Sequence, residues 1–257
     1  MTNAPSPLDR GAFKARMAEG QTVHGIFSGL AAPMAAEVAA AAGVDFVLLD
    51  LEHGGGGEEQ VGPTVVATGA YGVPTLVRVE TGDRIRIGRV LDAGAAGVMV
   101  PRINSVADAA DAVNHFHYPP VGDRGVASYN RAARWGMEPS ALEPRQKSAV
   151  IIQIETLGAL NDVEQIAALD GVDVLFVGPL DLSYALGVPR DFTAEVFSKA
   201  LCRVVDAANS KGIVAGILAG DVTAAKRYLD MGFKFVAHSS DSVLLAKSVA
   251  ETLKAVR

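Results

Sequence analysis

The sequence predicts a single-domain (β/α)₈ barrel, and three features of the chain support this fold class. Eight short apolar or β-branched runs alternate with segments of helical periodicity. The runs are almost continuously apolar, which is typical of parallel strands that are buried on both faces. The chain has 257 residues, close to the length of about 250 residues that is usual for one such barrel. We therefore treat residues 1–257 as one domain.

The apolar runs and the periodic segments between them give the order of the predicted elements. The predicted strands are Val23–Phe27, Phe46–Leu49, Thr75–Val79, Gly97–Val100, Val150–Ile154, Val174–Val177, Val214–Ile217 and Phe235–Ala237. The predicted helices are Ala32–Ala42, Asp83–Asp92, Val106–His117, Leu160–Leu169, Thr193–Ser210, Val222–Met231 and Ser242–Val256. Gly43, Gly94, Gly212 and Gly232 follow four of these helices, where glycine ends a helix in the left-handed conformation. A doubly wound sheet is the alternative fold, but no Gly-x-Gly-x-x-Gly motif follows the first strand.

Composition excludes several classes of protein. A hydrophobic fraction of 49% allows a large core and excludes a disordered chain. A net charge of −6 without basic runs argues against nucleic acid or a membrane surface as the main partner. One cysteine excludes a disulfide framework and fits a reducing cytoplasm. Met1–Ala12 contains no apolar core of a signal peptide, and no apolar run is long enough to span a membrane. We expect a cytoplasmic protein.

One segment breaks the alternation of strands and helices. Residues 118–148 contain four prolines and no clean strand pattern. Loops of this length inside a compact domain are usually functional or lie at an interface, and a solvated surface excursion is the alternative. Two histidines before the loop, His115 and His117, are predicted at the surface, and Cys202 is predicted as a buried thiol.

Ionisable side chains follow five of the eight predicted strands, at the end where barrel enzymes place their active sites. Glu155 and Asp181 follow neighbouring strands and could together offer oxygen ligands to a hard divalent cation, with Gln153 on the same side. The alternative is that each carboxylate caps the helix that follows it. The Gly178-Pro179 turn would expose backbone N–H groups to a substrate carboxylate.

Two further polar residues are candidates for catalysis. Arg78 ends an apolar strand, where an unpaired charge would be costly, so we expect it either to stabilise an enolate or to pair with Asp50 or Glu52. His53 follows Asp50 in a glycine-rich loop and is a candidate general base or a surface histidine.

With these residues identified, the chain resembles the HpcH/HpaI family of metal-dependent (class II) pyruvate aldolases. The resemblance is collinear from about residue 25 to the C-terminus. It rests on the ordered motifs GVDFVLLDLEHG, LVRVE, LDAGAAGVMVPRI, YPPVGDRGV, QIET, GVDVLFVGPLDLS and GFKFVAHSSD. Three positions depart from the family pattern: the run Gly54–Gly57, the His238-Ser239-Ser240 stretch, and the SYNRAARWGM segment of the long loop.

The resemblance implies a role for individual residues. His53 matches the family base, Asp92 the carboxylate that raises its basicity, and Asp50 a second acid beside it. Arg78 matches the arginine that stabilises the transition state. The resemblance also implies Glu155 and Asp181 as ligands of Mg²⁺, Mn²⁺ or Co²⁺. It implies Gln153, Gly178, Pro179, Leu180 and Asp181 as contacts of the substrate.

The implied reaction is the reversible cleavage of 4-hydroxy-2-oxo acids to pyruvate or hydroxypyruvate and an aldehyde, through an enolate on the metal. The implied assembly is a homohexamer, a trimer of dimers that exchange their last helix. Three alternatives remain. The first is the same enolate chemistry with another electrophile, as in a citrate synthase or a macrophomate synthase. The others are a thioester lyase of the wider superfamily and a non-catalytic protein that binds 2-oxo acids. Arg124, Arg131 or Arg134 of the long loop, from the same or a neighbouring subunit, could meet the distal group of the aldehyde.

Overall fold

The computed structural model describes residues 10–257, the side chain of Arg10 excepted, and its centre is a closed parallel barrel. Residues 1–9, which make up most of the Met1–Ala12 segment used above, lie outside the described residues. Eight strands pair in chain order, and the last pairs with the first. The strands are β1 (Val23–Ser28), β2 (Phe46–Asp50), β3 (Thr75–Arg78), β4 (Gly97–Val100), β5 (Ala149–Ile154), β6 (Val174–Val177), β7 (Val214–Ala219) and β8 (Phe235–Ser240). The predicted fold class is confirmed.

Helices surround the barrel. They are α1 (Arg10–Ala18), α2 (Pro33–Ala41), α3 (Val61–Gly69), α4 (Arg84–Asp92), α5 (Val106–Asn114), α6 (Leu157–Asn161), α7 (Val163–Ala167), α8 (Pro179–Ala185), α9 (Glu195–Lys211), α10 (Val222–Asp230) and α11 (Asp241–Val256). In the described part of the chain, no helix is both long and apolar enough to cross a membrane. The four glycines predicted to end helices all have positive φ, between 67° and 109°.

Apolar side chains fill both sides of the barrel wall. Inside the barrel, Phe13, Phe46, Phe176 and Phe235 form a cluster of aromatic rings, with the Phe46 and Phe235 centroids 4.2 Å apart. Outside it, a larger core joins the strands to the helices. The polar residues of the site therefore stand on a rigid apolar support.

The long loop of residues 118–148 forms no strand and contains two short 3₁₀ turns, Arg134–Gly136 and Pro139–Leu142. It packs over the adjacent residues His115 and His117, which are buried. The surface position predicted for them is wrong, because a loop that follows a helix can cover that helix's end without leaving any periodic signal. The prediction of a buried thiol is also wrong, since Cys202 is exposed on α9.

Candidate active site

The carboxyl ends of β2 and β3 carry a buried ion pair. Asp50 and Arg78 are register partners at the last position of each strand. Arg78 donates from Nε to Asp50 Oδ1 at 2.8 Å and from Nη2 to Asp50 Oδ2 at 2.6 Å. Burial by itself lowers the pKa of Arg78, but its bonds to Asp50 and the charge of Asp50 hold the pKa above its usual value. The fork is therefore a permanently charged and fixed donor, and Nη1, which Asp50 does not bind, lies beside Glu52.

The loop after β2 adds Glu52 and His53 to this pair. Glu52 Oε2 lies 3.2 Å from Arg78 Nη1, and burial raises the pKa of the Glu52 carboxyl although Arg78 opposes the shift. The backbone N–H groups of Glu52 and His53 both donate to Asp50 Oδ1, which fixes the turn. The His53 side chain is 67% exposed, with Nε2 at 3.9 Å from Glu52 Oε1. The imidazole is thus open to solvent above the ion pair.

Glu155 follows β5 and is a buried carboxylate that has no directly paired cation among residues 10–257. Its Oε1 accepts the Arg102 backbone N–H at 2.7 Å, and its Oε2 accepts the Gln153 side-chain amide at 2.5 Å. Burial raises the pKa of Glu155, the Arg102 N–H opposes the shift, and the negative charge of Asp181 adds to it. Thr156, and not Glu155, caps the helix that follows. Capping therefore does not explain the position of Glu155.

Asp181 lies in the first turn of α8, close to Glu155. No side chain caps α8, so Asp181 does not cap it either. Arg102 connects the two carboxylates, since its N–H binds Glu155 and its Nη1 lies 3.9 Å from Asp181 Oδ1. Gly178, which begins the turn, would place a Cβ 2.9 Å from Glu155 Oε2 and 2.8 Å from Gln153 Nε2. A glycine is therefore needed where this backbone approaches the carboxylate.

The donor set fits a divalent cation. The buried Glu155 carboxylate and the half-exposed Asp181 carboxylate lie close together. Gln153 Oε1 is also buried, and it has no hydrogen-bond partner among the residues described. Residues 10–257 contain no cluster of three or more acidic, histidine or cysteine ligands. A cation here would be held by two protein carboxylates and would keep positions for water and a chelating substrate, as Mg²⁺ does.

The ion pair opens into a cavity of about 750 Å³. Asp50, His53 and Arg78 line this cavity, and so do Pro179 and Leu180 at the start of α8. The negative charge of Glu155 raises the pKa values of both Glu52 and Arg78. The Glu155–Asp181 pair and the Asp50–Arg78 pair therefore interact electrostatically. The structure thus brings six of the strand-end residues named from the sequence close enough for their charges to interact: Asp50, Glu52, His53, Arg78, Glu155 and Asp181.

Comparison with known proteins decides the family. The family model described as HpcH/HpaI aldolase/citrate lyase matches residues 24–248. The chain belongs to the HpcH/HpaI family. It is 39% identical to a hydroxypyruvate/pyruvate aldolase of Paraburkholderia phytofirmans, over 95% of this chain and 97% of that protein. It is 36% identical to a 4-hydroxy-2-oxo-heptane-1,7-dioate aldolase of Salmonella arizonae, over 96% and 94%. A crystal structure of an HpcH/HpaI aldolase/citrate lyase family protein from Burkholderia cenocepacia J2315 superposes with a TM-score of 0.91 at 36% identity, over 96% and 99%.

Within this HpcH/HpaI chain, Asp92 has a different partner from the one that the resemblance implies. Asp92 Oδ1 accepts a hydrogen bond from Arg124 Nη2 at 2.5 Å, and no bond to His53 is found among the described residues. The Arg124 side chain has no exposed surface and lies 4.8 Å from the centre of the Tyr118 ring. Arg124 is therefore a structural residue, and its predicted contact with the aldehyde is wrong.

The other loop arginines also lie away from the cavity. Arg131 is 5.2 Å from the centre of the Trp135 ring, and Arg134 lies beside Glu138. Neither lines the cavity of this chain. Arg102 was missed by the sequence reasoning, although its place directly after β4 follows the same strand-end rule as the other site residues.

Proposed function

We propose that this aldolase reversibly cleaves 4-hydroxy-2-oxo acids to pyruvate or hydroxypyruvate and an aldehyde, with a divalent cation as cofactor. The names of the aldolase relatives support the reaction. The observation that carries the proposal is the buried, cation-free carboxylate of Glu155 beside Asp181, close enough to Arg78 for their charges to interact.

Glu155 and Asp181 would hold the cation. When bound, it would polarise the keto oxygen of a chelating 2-oxo acid and make the C3 hydrogens acidic. Mg²⁺, Mn²⁺ and Co²⁺ all suit this oxygen-rich donor set. The orphaned Gln153 Oε1 could accept a hydrogen bond from a cation-bound water or from the substrate.

Arg78 stabilises the enolate in this proposal. Asp50 occupies the Nε and Nη2 edge of the guanidinium and so fixes its plane. Nη1 is not bound by Asp50 and lies 3.2 Å from Glu52 Oε2, so an enolate oxygen would share this nitrogen with Glu52. Electrostatic stabilisation of a developing oxyanion is strongest in such a buried site. Backbone N–H groups at the start of α8, including that of Leu180, lack acceptors within the helix and would bind the substrate carboxylate.

His53 is the proposed base: during cleavage it takes the proton of the 4-hydroxyl group as the C3–C4 bond breaks and then protonates C3 of the enolate. During condensation it removes the C3 proton and gives it to the new 4-alkoxide. Its imidazole is exposed and can therefore pass the proton to a water molecule or to the substrate. Asp92 keeps the role that the resemblance gives it as a positioning residue, although its carboxylate is bound to Arg124.

Deuterium exchange tests the proposal without knowledge of the aldehyde. Pyruvate in D₂O with protein and Mg²⁺ or Mn²⁺ should lose its methyl proton signal, and EDTA should stop the exchange until metal is returned. E155Q should slow exchange at least about 100-fold, since a lost metal ligand removes several kcal/mol of stabilisation.

E164Q is the matched control, because Glu164 makes an exposed ion pair with Arg203 and should not affect exchange. Exchange that continues unchanged after complete chelation contradicts the proposal, and so does an E155Q variant as fast as E164Q. Absence of exchange in the metal-loaded wild type would favour a non-catalytic binding protein. Condensation with oxaloacetate or an acyl thioester in place of aldehydes would identify the citrate-synthase-like alternative.

The proposal includes an assembly and a location. We propose a homohexamer built from dimers that exchange α11, on the basis of the family resemblance and the exposure of that helix. We also propose a cytoplasmic location, which the use of a single cysteine supports.

A further inference from the structure

The cavity continues beyond the catalytic residues to the loops that follow β6, β7 and β8. Arg190 and Lys247 line this far end, together with the hydroxyl-bearing Ser239, Ser240 and Ser242. A volume of about 750 Å³ exceeds what a three-carbon keto acid needs, so the far end is available to the second substrate.

Arg190 lacks the acidic partner that most arginines of the chain have. Its guanidinium makes no hydrogen bond or ion pair with any residue in the described range 10–257, whereas Arg78, Arg124 and Arg203 each bind a carboxylate. Its backbone has a φ of 62°, an unfavourable left-handed conformation for a residue other than glycine. The Arg190 N–H donates to the buried Ser183 Oγ at 3.0 Å, which holds this conformation and fixes the base of the side chain.

Lys247, in the second turn of α11, supplies a second positive charge to the cavity of its own chain. Its ammonium has only a long contact of 3.4 Å to the Gly220 carbonyl oxygen, and no carboxylate lies within ion-pair distance among residues 10–257. The acidic residue that lines this part of the cavity is Asp221, whose Oδ1 is engaged by the Ala224 N–H as the cap of α10. A second carboxylate, Asp241, lies between Ser240 and Ser242 and accepts the backbone N–H groups of Gly29 and Ser242. Both carboxylates are thus bound by backbone N–H groups, whereas the charged ends of Arg190 and Lys247 have no acidic partner among residues 10–257.

We propose that Arg190 and Lys247 form a subsite for the anionic distal group of the aldehyde, a carboxylate or a phosphate. Gly220 and Lys247 follow the seventh and eighth strands, where many barrel enzymes bind phosphate groups, and Arg190 lines the cavity from the segment after the sixth strand. Arg190 offers a planar fork for two oxygens, and Lys247 adds a point charge. The sequence hypothesis gave this role to the arginines of the long loop, and the subsite assigns it to Arg190 and Lys247 of the cavity instead. This inference rests on the proposed aldolase function.

Paired aldehydes test the subsite. The wild-type enzyme should prefer a four-carbon aldehyde with a terminal carboxylate over butanal, and glyceraldehyde 3-phosphate over glyceraldehyde. R190Q and K247Q should each lower this charged-to-neutral ratio of kcat/KM at least tenfold, mainly through KM. R190K should recover part of the ratio. K226Q, which removes an exposed charge from α10 outside the cavity, should leave it unchanged.

The outcomes separate failure of the subsite from failure of the aldolase proposal. If R190Q and K247Q affect charged and neutral aldehydes equally, or affect neither, the subsite is wrong while aldol turnover stands. If no aldehyde reacts, calorimetric titration with inorganic phosphate decides the subsite separately, since binding that R190Q abolishes supports it and equal binding to both proteins overturns it. The larger of the two wild-type ratios identifies the anion as phosphate or carboxylate.

Discussion

At the scale of the residue, burial decides which polar groups take part in chemistry and which hold the structure. Arg78 and Arg124 are both buried and both bind an aspartate. Arg78 stands at a strand end and lines the cavity, whereas Arg124 is buried within the long loop against Tyr118. The sequence indicated Arg78 because an arginine interrupts an apolar strand. It could not distinguish Arg124 from its loop neighbours, because their burial depends on how the loop folds back.

A buried histidine makes stability depend on pH. The Gln146 N–H donates to His117 Nδ1 at 3.1 Å, while Nε2 is buried with no partner in the described chain. Burial lowers the pKa of His117, and the charges of Arg145 and Lys14 lower it further. The unfolded chain therefore binds more protons than the folded protein between the lowered pKa and the usual value near 6.5, so stability falls as the pH drops through that window.

We expect H117N to be less sensitive to acid than the wild type. The asparagine Oδ1 can accept the Gln146 N–H in place of Nδ1, and it does not titrate. Chemical denaturation at pH 7.5, 6.5 and 5.5 should show that the unfolding free energy of H117N falls less with decreasing pH than that of the wild type. The two slopes should differ by at most about 1.4 kcal/mol per pH unit, the limit for one titrating group. Parallel pH profiles for the two proteins would contradict this assignment. The His24–His238 pair is present in both proteins, so a difference between their pH profiles does not come from that pair.

At the scale of the element, tertiary contacts modify what periodicity predicts. Periodicity predicts one helix over Leu160–Leu169, but the structure has α6 and α7, with a break at Asp162. The Asp162 carboxylate accepts the Val106 N–H at the start of α5. This contact spans 56 positions of the sequence and leaves no local signal. Strand bodies and the glycines that end helices were predictable because they depend on local apolar pattern and backbone conformation.

The turn between β6 and α8 should tolerate no side chain at Gly178. G178A would place a methyl group within 3 Å of both Glu155 Oε2 and Gln153 Nε2 without backbone strain, since φ is −86°. We expect a loss of pyruvate exchange of at least about tenfold, equal to 1.4 kcal/mol, together with weaker Mn²⁺ binding, while the circular dichroism spectrum stays unchanged.

G88A is the control for this variant. Gly88 lies inside α4, and a Cβ there meets no atom within 4 Å, so alanine should keep activity and stabilise the helix by about 0.5–1 kcal/mol. A G178A enzyme as active as G88A would show that the close approach at Gly178 has no role in the site.

At the scale of the whole molecule, α11 is exposed along its length. No residue of this helix is buried, and Leu245, Val249, Leu253 and Val256 form an apolar stripe with exposures between 41% and 75%. Apolar stripes of this kind commonly mark an interface. The stripe supports the proposal that α11 packs on another subunit.

We expect the double variant L245D/L253D to dissociate the assembly. Two carboxylates in the stripe would be buried unpaired at an interface and would destabilise it by several kcal/mol. Native mass spectrometry should show smaller species than the wild type. K254D changes the net charge by the same amount outside the stripe and should keep the wild-type mass. An unchanged mass for L245D/L253D would place the interface elsewhere.

The sequence by itself determined the barrel, the order of its strands and the strand-end residues that form the candidate site. These follow from local pattern, because a parallel strand buried on both faces must be apolar and its polar residues can stand only at its ends. The tertiary structure alone decided which side chains are partners: Asp50 with Arg78, Asp92 with Arg124, and Arg190 with no residue of the described chain. Such pairing depends on distances between segments far apart in the sequence, which neither composition nor periodicity encodes.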